Sequence, residues 1–343
     1  MCDGTERVGG CFRSQRHVFS MGSYAPKGMR HTPEAARLVR QQAHLLYIRA
    51  MEYLERLVEE KRVKTPDGDE IAYHVIGRGK PMVLANGLGG SWRAWAHQIR
   101  HFADRYRFIS WDYRGMYQSP VPRDRRAMQV PLHAEDGLAV LRAEGITEGA
   151  GVLGWSMGVQ VALEMFRREP KLFDALVLIN GVAGSPFKTL ANSPTVGRFA
   201  PSLLRSLQRV SGGVEAWTRL AVKWPYTAQA AIMLGITSKT VDVELFRGMA
   251  GSFVGLDMEV YMRILEQLGE HDAHDVLPRI SQPVLVIAGG RDLMTPRAAA
   301  ERLVRSVKHG ELYVIPEGTH YLAVEYPVLL NQRIERFLAE QGF

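Results

Sequence analysis

Gly154-Trp155-Ser156-Met157-Gly158 lies between a short apolar run at 151–153, which reads as a buried strand, and residues 157–168, which read as a helix. A chain that bends from strand to helix around one residue has room only for glycine on either side. The Gly-x-Ser-x-Gly spacing in this setting therefore presents Ser156 as a candidate nucleophile. A serine hydroxyl is a weak nucleophile at neutral pH and needs a base within hydrogen-bond reach. Downstream, an apolar run at 283–288 ends just before Asp292 in Gly290-Arg291-Asp292, and one at 311–315 ends just before His320 in Glu317-Gly318-Thr319-His320. The chain order Ser, Asp, His is the one such an elbow uses. His320 is then the base, and Asp292 holds the imidazole tautomer and stabilises the imidazolium.

Outward from the elbow, residues 62–64, a turn at Asp67-Gly68 and residues 70–75 form an alternating hairpin pattern. Short apolar runs follow at 81–85, 107–111, 151–153, 175–179, 283–288 and 311–315, with helical pattern between them. Such alternation predicts an α/β fold: a mostly parallel central sheet with helices on both faces, whose site lies at the carboxyl ends of the strands. The alternation stops between Gly181 and Leu277, so residues 183–277 read as a helical cap inserted after the sixth strand. Its apolar residues, Phe187, Trp217, Trp224, Phe246, Met249, Phe253, Met258, Tyr261 and Met262 among them, are expected mostly to pack on one another, with some facing a pocket above the serine. The division is a tail at 1–31 with no hydrophobic period, expected to be disordered, a helical extension at 32–61, a core at 62–182 and 278–343, and the cap.

In the extension, Thr32 can cap a helix and Pro33 suits its first position. Leu38, Leu45, Ile48, Met51, Leu54, Leu57 and Val58 recur at helical spacings, predicting an amphipathic helix of about 28 residues. Its apolar face needs burial against the body, another subunit, or a membrane surface, where Arg37, Arg40, Arg49 and Arg56 would meet anionic lipid. Docking on the body or on a subunit is the preferred reading.

With 343 residues, 46% hydrophobic and 23% charged, the chain has the material for one α/β domain of roughly 250 residues plus an insertion. No apolar run approaches the roughly 20 residues of a membrane span, and the first thirty residues lack a secretory stretch, so a cytoplasmic location is the default expectation. Cys2 and Cys11, the only cysteines, lie in the tail, which leaves the body without a disulfide or a thiol nucleophile. The net charge of +7 is concentrated in residues 1–64, with 12 Lys and Arg against 7 Asp and Glu; the remainder carries 31 against 29. Nucleic acid is therefore not an expected partner. Zinc-ligand spacing, a phosphate loop and a dinucleotide fingerprint are all missing from the sequence, so no metal or cofactor is expected.

Taken together, Ala85-Asn86-Gly87-Leu88-Gly89-Gly90, Asp112-Tyr113-Arg114-Gly115, the serine elbow and the Asp292 and His320 segments resemble the α/β-hydrolase superfamily, from about Arg62 to the C-terminus. The resemblance implies a capped, serine esterase-like protein with an oxyanion hole made by the backbone N–H groups of Met157 and Leu88. The family often has His-Gly where this chain has Asn86-Gly87; the donor is a main-chain group one residue on, so the hole should stay intact. Trp92 and Trp155 flank it and are candidates for the substrate pocket or for packing. The Asp112-Tyr113-Arg114-Gly115 turn reads as structural. In some relatives the acid follows the sixth strand, but here that strand ends in Asn180, which cannot carry the charge, so Asp292 is preferred. His97, His101, His133, His271, His274 and His309 read as surface or packing residues.

The implied activity is cleavage of a small or medium carboxylic ester, with an apolar acyl part, through an acyl-enzyme on Ser156. C–C bond hydrolase, lactonase, acyltransferase and perhydrolase or haloperoxidase use the same triad and stay open. Aspartate at 156 would have pointed to haloalkane dehalogenases or epoxide hydrolases. The missing Gly-Gly-Pro-Gly lowers iminopeptidase. From another class, a non-catalytic ligand-binding protein on the same scaffold is the competing reading.

Overall fold

The alternating runs pair into one eight-stranded sheet in the order β1-β2-β4-β3-β5-β6-β7-β8. The structure, a computed structural model, describes residues 33–188 and 227–343. The tail at 1–31 with Cys2 and Cys11, the Thr32 cap, and Trp217 and Trp224 lie outside the described residues. Strands β1 (Val58–Lys64) and β2 (Glu70–Gly77) form an antiparallel hairpin, and β2 runs antiparallel to β4 (Tyr106–Trp111). From there β4, β3 (Lys80–Ala85), β5 (Ala150–Trp155), β6 (Phe173–Ile179), β7 (Val284–Gly289) and β8 (Gly310–Ile315) pair in parallel. The fold class expected from the sequence is the one observed.

Successive side chains on a strand point to opposite faces, and the apolar runs feed two cores. Val83, Ile109, Val152, Leu176 and Val286 share one with Leu138 of α3 (Val130–Ala143), Val161 of α4 (Met157–Arg168) and Leu303 of α8 (Arg297–Arg305). Leu84, Phe108, Leu153, Val177 and Leu285 share the other with Ile99 of α2 (Ala96–Phe102), Leu322 of α9 (Leu322–Glu325) and Phe337 of α10 (Pro327–Glu340). Strands buried on both faces read as continuous apolar runs, which is why periodicity located them.

Helix α1 (Pro33–Leu57) begins at the proline, as expected, but ends four residues before the boundary at 61. Val58, read as part of its apolar face, instead opens β1, where Val58 pairs with Ile76 and Lys64 with Glu70. The stretch is polar and half-exposed, so its alternation is weak and ladder hydrogen bonds to β2 decide its conformation. Met51 and Leu54 are buried in the second core of the same chain, while Leu45 is 50% exposed. Glu55 accepts from Arg93 at 3.0 Å, and His44 pairs with Glu244 at 2.7 Å, so the helix touches both the body and the insert.

Between β6 and β7 the described residues form α5 (Thr227–Met233), α6 (Val243–Phe253) and α7 (Met258–Glu270), with no strand among them. Asp242 and Asp257 cap α6 and α7, accepting from Leu245 N at 3.1 Å and from Glu259 N at 2.9 Å. Among the described residues, the expectation that the insert's apolar residues pack mainly on one another holds for Met258 and Met262, with Phe187, Phe253, Tyr261 and Leu265 against them. Phe246 belongs to the second core and Met249 packs on it, while Val260, Ile264 and Leu268 enter the first. The described part of the insert thus contributes to both cores of the body.

Candidate active site

Ser156 follows the last residue of β5 and precedes α4, with φ 56° and ψ −117°. That left-handed conformation costs about 1–3 kcal/mol for a non-glycine residue and persists only where its surroundings enforce it. Here the crowding is explicit. A Cβ on Gly154 would lie 2.7 Å from the Gly158 carbonyl oxygen, and one on Gly158 would lie 1.9 Å from that of Ala85. Gly154 is thus dictated by the close approach of β5 to the start of α4, and Gly158 by that of α4 to β3.

The loops after β7 and β8 bring the other two expected residues to the same point. His320 Nε2 lies 2.9 Å from Ser156 Oγ, and His320 Nδ1 lies 2.8 Å from Asp292 Oδ2. An ionised carboxylate only accepts, so Nδ1 carries the proton and donates to Asp292, which leaves Nε2 to accept the Ser156 hydroxyl. Asp292 and His320 are 4% and 6% exposed. The Asp292 carboxyl is fully engaged: Oδ1 accepts from Met294 N at 2.8 Å and Thr295 N at 3.0 Å, and Oδ2 also accepts from Thr295 Oγ1 at 2.6 Å. Burial by itself would raise its pKa, but the His320 charge and the bonds from His320 and Thr295 outweigh it and hold the carboxyl below its ordinary value. Two more glycines let the loops meet, since a Cβ on Gly289 would lie 2.4 Å from Thr319 O and one on Gly290 2.3 Å from Pro316 O.

Leu88 and Met157, the expected oxyanion donors, lie in the loop after β3 and at the first position of α4. Neither amide has an acceptor among the described residues. Asn86 holds the loop: its Nδ2 donates to Ser110 Oγ at 3.0 Å and Trp111 O at 3.2 Å, and its Oδ1 accepts from Trp95 Nε1 at 3.0 Å. Its carbonyl accepts from Tyr113 Oη at 2.7 Å, and Tyr117 Oη donates to Gly89 O at 2.5 Å.

The two tryptophans separate. Trp155 lies beside the site, donating from Nε1 to His320 O at 2.9 Å, with its ring against Gly87 and 5.8 Å from the His320 ring. Trp92 is 1% exposed in the second core, its ring 6.3 Å from that of His74, and is a packing residue. Two residues to which the sequence reading gave no role in the site, Thr295 and Asn180, support it. Asn180, at φ 44°, accepts from Gly289 N at 2.8 Å and donates to Thr319 O at 2.7 Å, so it braces both loops from the end of β6. An amide offers a donor and an acceptor at once, and its place at a strand end was the available signal.

Among the described residues no group of His, Cys, Asp and Glu could hold a metal ion, and no helix is long and apolar enough to cross a membrane. The site as built can move a proton from a hydroxyl to an imidazole.

The comparisons with known proteins agree with this fold. Residues 80–223 match the family model described as alpha/beta hydrolase fold. A putative carbamate hydrolase RutD from Agrobacterium fabrum is 27% identical over 259 residues, covering 75% of this chain and 92% of that protein. Among solved structures, an esterase from Exiguobacterium antarcticum superposes with a TM-score of 0.69 at 18% identity, over 82% of this chain and 100% of its own. A thermophilic esterase from Thermogutta terrifontis gives 0.67 at 22% identity, over 83% and 100%. The sheet order and these likenesses agree on the α/β-hydrolase fold, and the chain is similar to proteins of that fold over most of its length.

Proposed function

We propose that the protein is a serine hydrolase that cleaves a small or medium carboxylic ester through an acyl-enzyme on Ser156. The observation that carries this reading is the unbroken chain of hydrogen bonds from Ser156 Oγ through His320 to Asp292, at 2.9 and 2.8 Å. Ser156 Oγ attacks the carbonyl carbon while its proton passes to His320 Nε2. The oxyanion forms against the amides of Leu88 and Met157, which had no other acceptor to give up. On collapse the C–O bond breaks and the alkoxide takes the proton from His320. Water, deprotonated by the same nitrogen, then releases the acid and restores Ser156. Asp292, held below its ordinary pKa, stays ionised and stabilises the imidazolium in both halves.

The rings of Phe253 and Tyr261 of the insert pack on Gly89, next to Leu88, and the ring of Trp155 packs on Gly87. These rings support an apolar acyl group. The extension supports a further contact with a subunit or membrane surface through residues preceding Tyr47. A second reading, hydrolysis of a carbamate, is favoured by the name carried by the curated relatives at 24–28% identity. The same triad would serve it, with nitrogen as the leaving atom.

A panel of p-nitrophenyl esters of increasing acyl length, run beside a carbamate, a lactone and a thioester, tests both. Turnover of short and medium esters that disappears in Ser156→Ala supports the first reading. Carbamate turnover exceeding ester turnover supports the second, and a folded protein inert toward all of them removes both.

A further inference from the structure

Thr319, immediately before His320, is gripped at every polar atom. Its N–H donates to Glu325 Oε2 at 2.8 Å, its carbonyl accepts from Asn180 Nδ2 at 2.7 Å, and its hydroxyl lies 2.5 Å from Glu325 Oε1 and 3.0 Å from the Ile236 carbonyl. Glu325, the last residue of α9, is 2% exposed. Among the described residues its carboxylate meets no cation. Its other partners are Thr237 Oγ1 and Ser238 N, each at 2.8 Å, and both belong to the insert between α5 and α6. A carboxylate buried among neutral donors carries a large desolvation cost, so this one must answer a need that an apolar contact would not. What it joins is specific: the backbone beside the imidazole on one side, and the first turn of chain leading to α6 on the other. Helix α6 in turn places Phe246 edge-on to Tyr321, 5.4 Å between ring centres.

We propose that Glu325 is a positioning residue that ties the insert to the His320 loop, so that the seating of the insert over the sheet sets the approach of the imidazole to Ser156. The proposal rests on the reading of His320 as the base for Ser156. Rotation at Thr319 swings the next residue directly, and a displacement of about 1 Å at a reacting pair costs on the order of a hundredfold in rate. Asn180 and Trp155 anchor the same loop from the body. Loss of Glu325 therefore removes the insert's hold while the loop stays attached to the sheet.

The test compares the full chain with Glu325→Gln, Thr237→Val and Leu330→Ala. Leu330, a fully buried residue of α10 in the second core, serves as a stability control. Three quantities are measured on each: the rate constant for fluorophosphonate modification of Ser156, kcat and KM on a p-nitrophenyl ester, and the thermal midpoint. Glu325→Gln should label about tenfold more slowly or worse, with kcat falling in parallel and KM within about twofold. Thr237→Val, which cuts only the insert side, should shift kcat the same way by about threefold. Leu330→Ala should lower the midpoint and keep the labelling rate.

Labelling of Glu325→Gln within about twofold of wild type overturns the proposal, as does an equal slowing in Leu330→Ala at matched stability. If Glu325→Gln does not fold, unchanged kcat in Thr237→Val is the overturning result. A wild-type protein that does not label fails the serine-hydrolase reading itself, and this proposal with it.

Discussion

Two buried ionic clusters lie just past the carboxyl ends of strands, and they differ in whether they are closed. After β4, Arg114 donates from Nε and Nη2 to Asp136 at 2.8 and 2.6 Å, and from Nη1 to Asp67 at 2.6 Å and Asp69 at 3.3 Å. A further bond from Nη2 to Asp67 at 3.2 Å completes the five guanidinium donors. That cluster pins the β1–β2 turn to α3 and leaves no proton free to move. After β7 and β8, Asp292 is equally saturated, but the chain of bonds runs on through His320 and stops at a hydroxyl on a residue in a strained conformation. Buried ionic groups thus serve two ends: a closed network holds parts together, and an open one can transfer a proton.

The largest expected effect falls on the open cluster. Asp292→Asn keeps the shape of the side chain but offers an amide where the imidazole needs an acceptor. We expect kcat to fall about ten-thousandfold while the protein stays folded. Its stability consequence has a definite sign. A carboxyl held below its unfolded pKa of about 3.9 contributes stability that is present above that pH and lost as the pH falls through the folded value. Urea unfolding of wild type and Asp292→Asn should therefore converge as the pH drops below about 4. A loss of only severalfold in kcat would mean that the open cluster works without its acid.

Next, Arg114→Ala leaves Asp136 buried and unpaired, and breaking such a pair costs about 3–5 kcal/mol. Urea unfolding should show that loss, while turnover per folded molecule stays within a few-fold. A kcat loss beyond tenfold in fully folded protein would erase the distinction between the clusters. The smallest effect concerns His133, buried beside Tyr113 with its rings 4.8 Å apart. Burial first, and the Arg114 charge second, push its pKa down to about 3. The unfolded chain binds a proton there below about pH 6.5, so the stability that this neutral histidine supports is complete above that pH and lost as the pH falls towards 3. His133→Leu should flatten the acid side of the urea midpoint against pH and change little at neutrality.

How far these features were legible in the sequence follows from their physics. The strands and the elbow were readable because buried parallel strands are apolar throughout, and because glycines at 154 and 158 answer contacts that no side chain could survive. Asp292 and His320 were readable from their places just beyond two such strands. The end of α1 was not, since Val58 fits a helical face as well as an edge strand and only its pairing with Ile76 decides. Nor were the braces Asn180 and Glu325, or the hub at Asn86. Their work is done through bonds to loops far along the chain, such as Asn180 to Thr319, which leave no local period to detect. Trp92 and Trp155 had equal claims in the sequence, and the contacts of Trp155 with Gly87 and His320 separate them.

The central claim is that Ser156 is made nucleophilic by His320. Intact-mass analysis after treatment with a fluorophosphonate measures it directly. The account predicts one covalent adduct per chain, mapped to the peptide holding Ser156, lost in Ser156→Ala and formed far more slowly in His320→Ala. Folded wild-type protein that gains no mass, or an adduct that survives in Ser156→Ala, would contradict it.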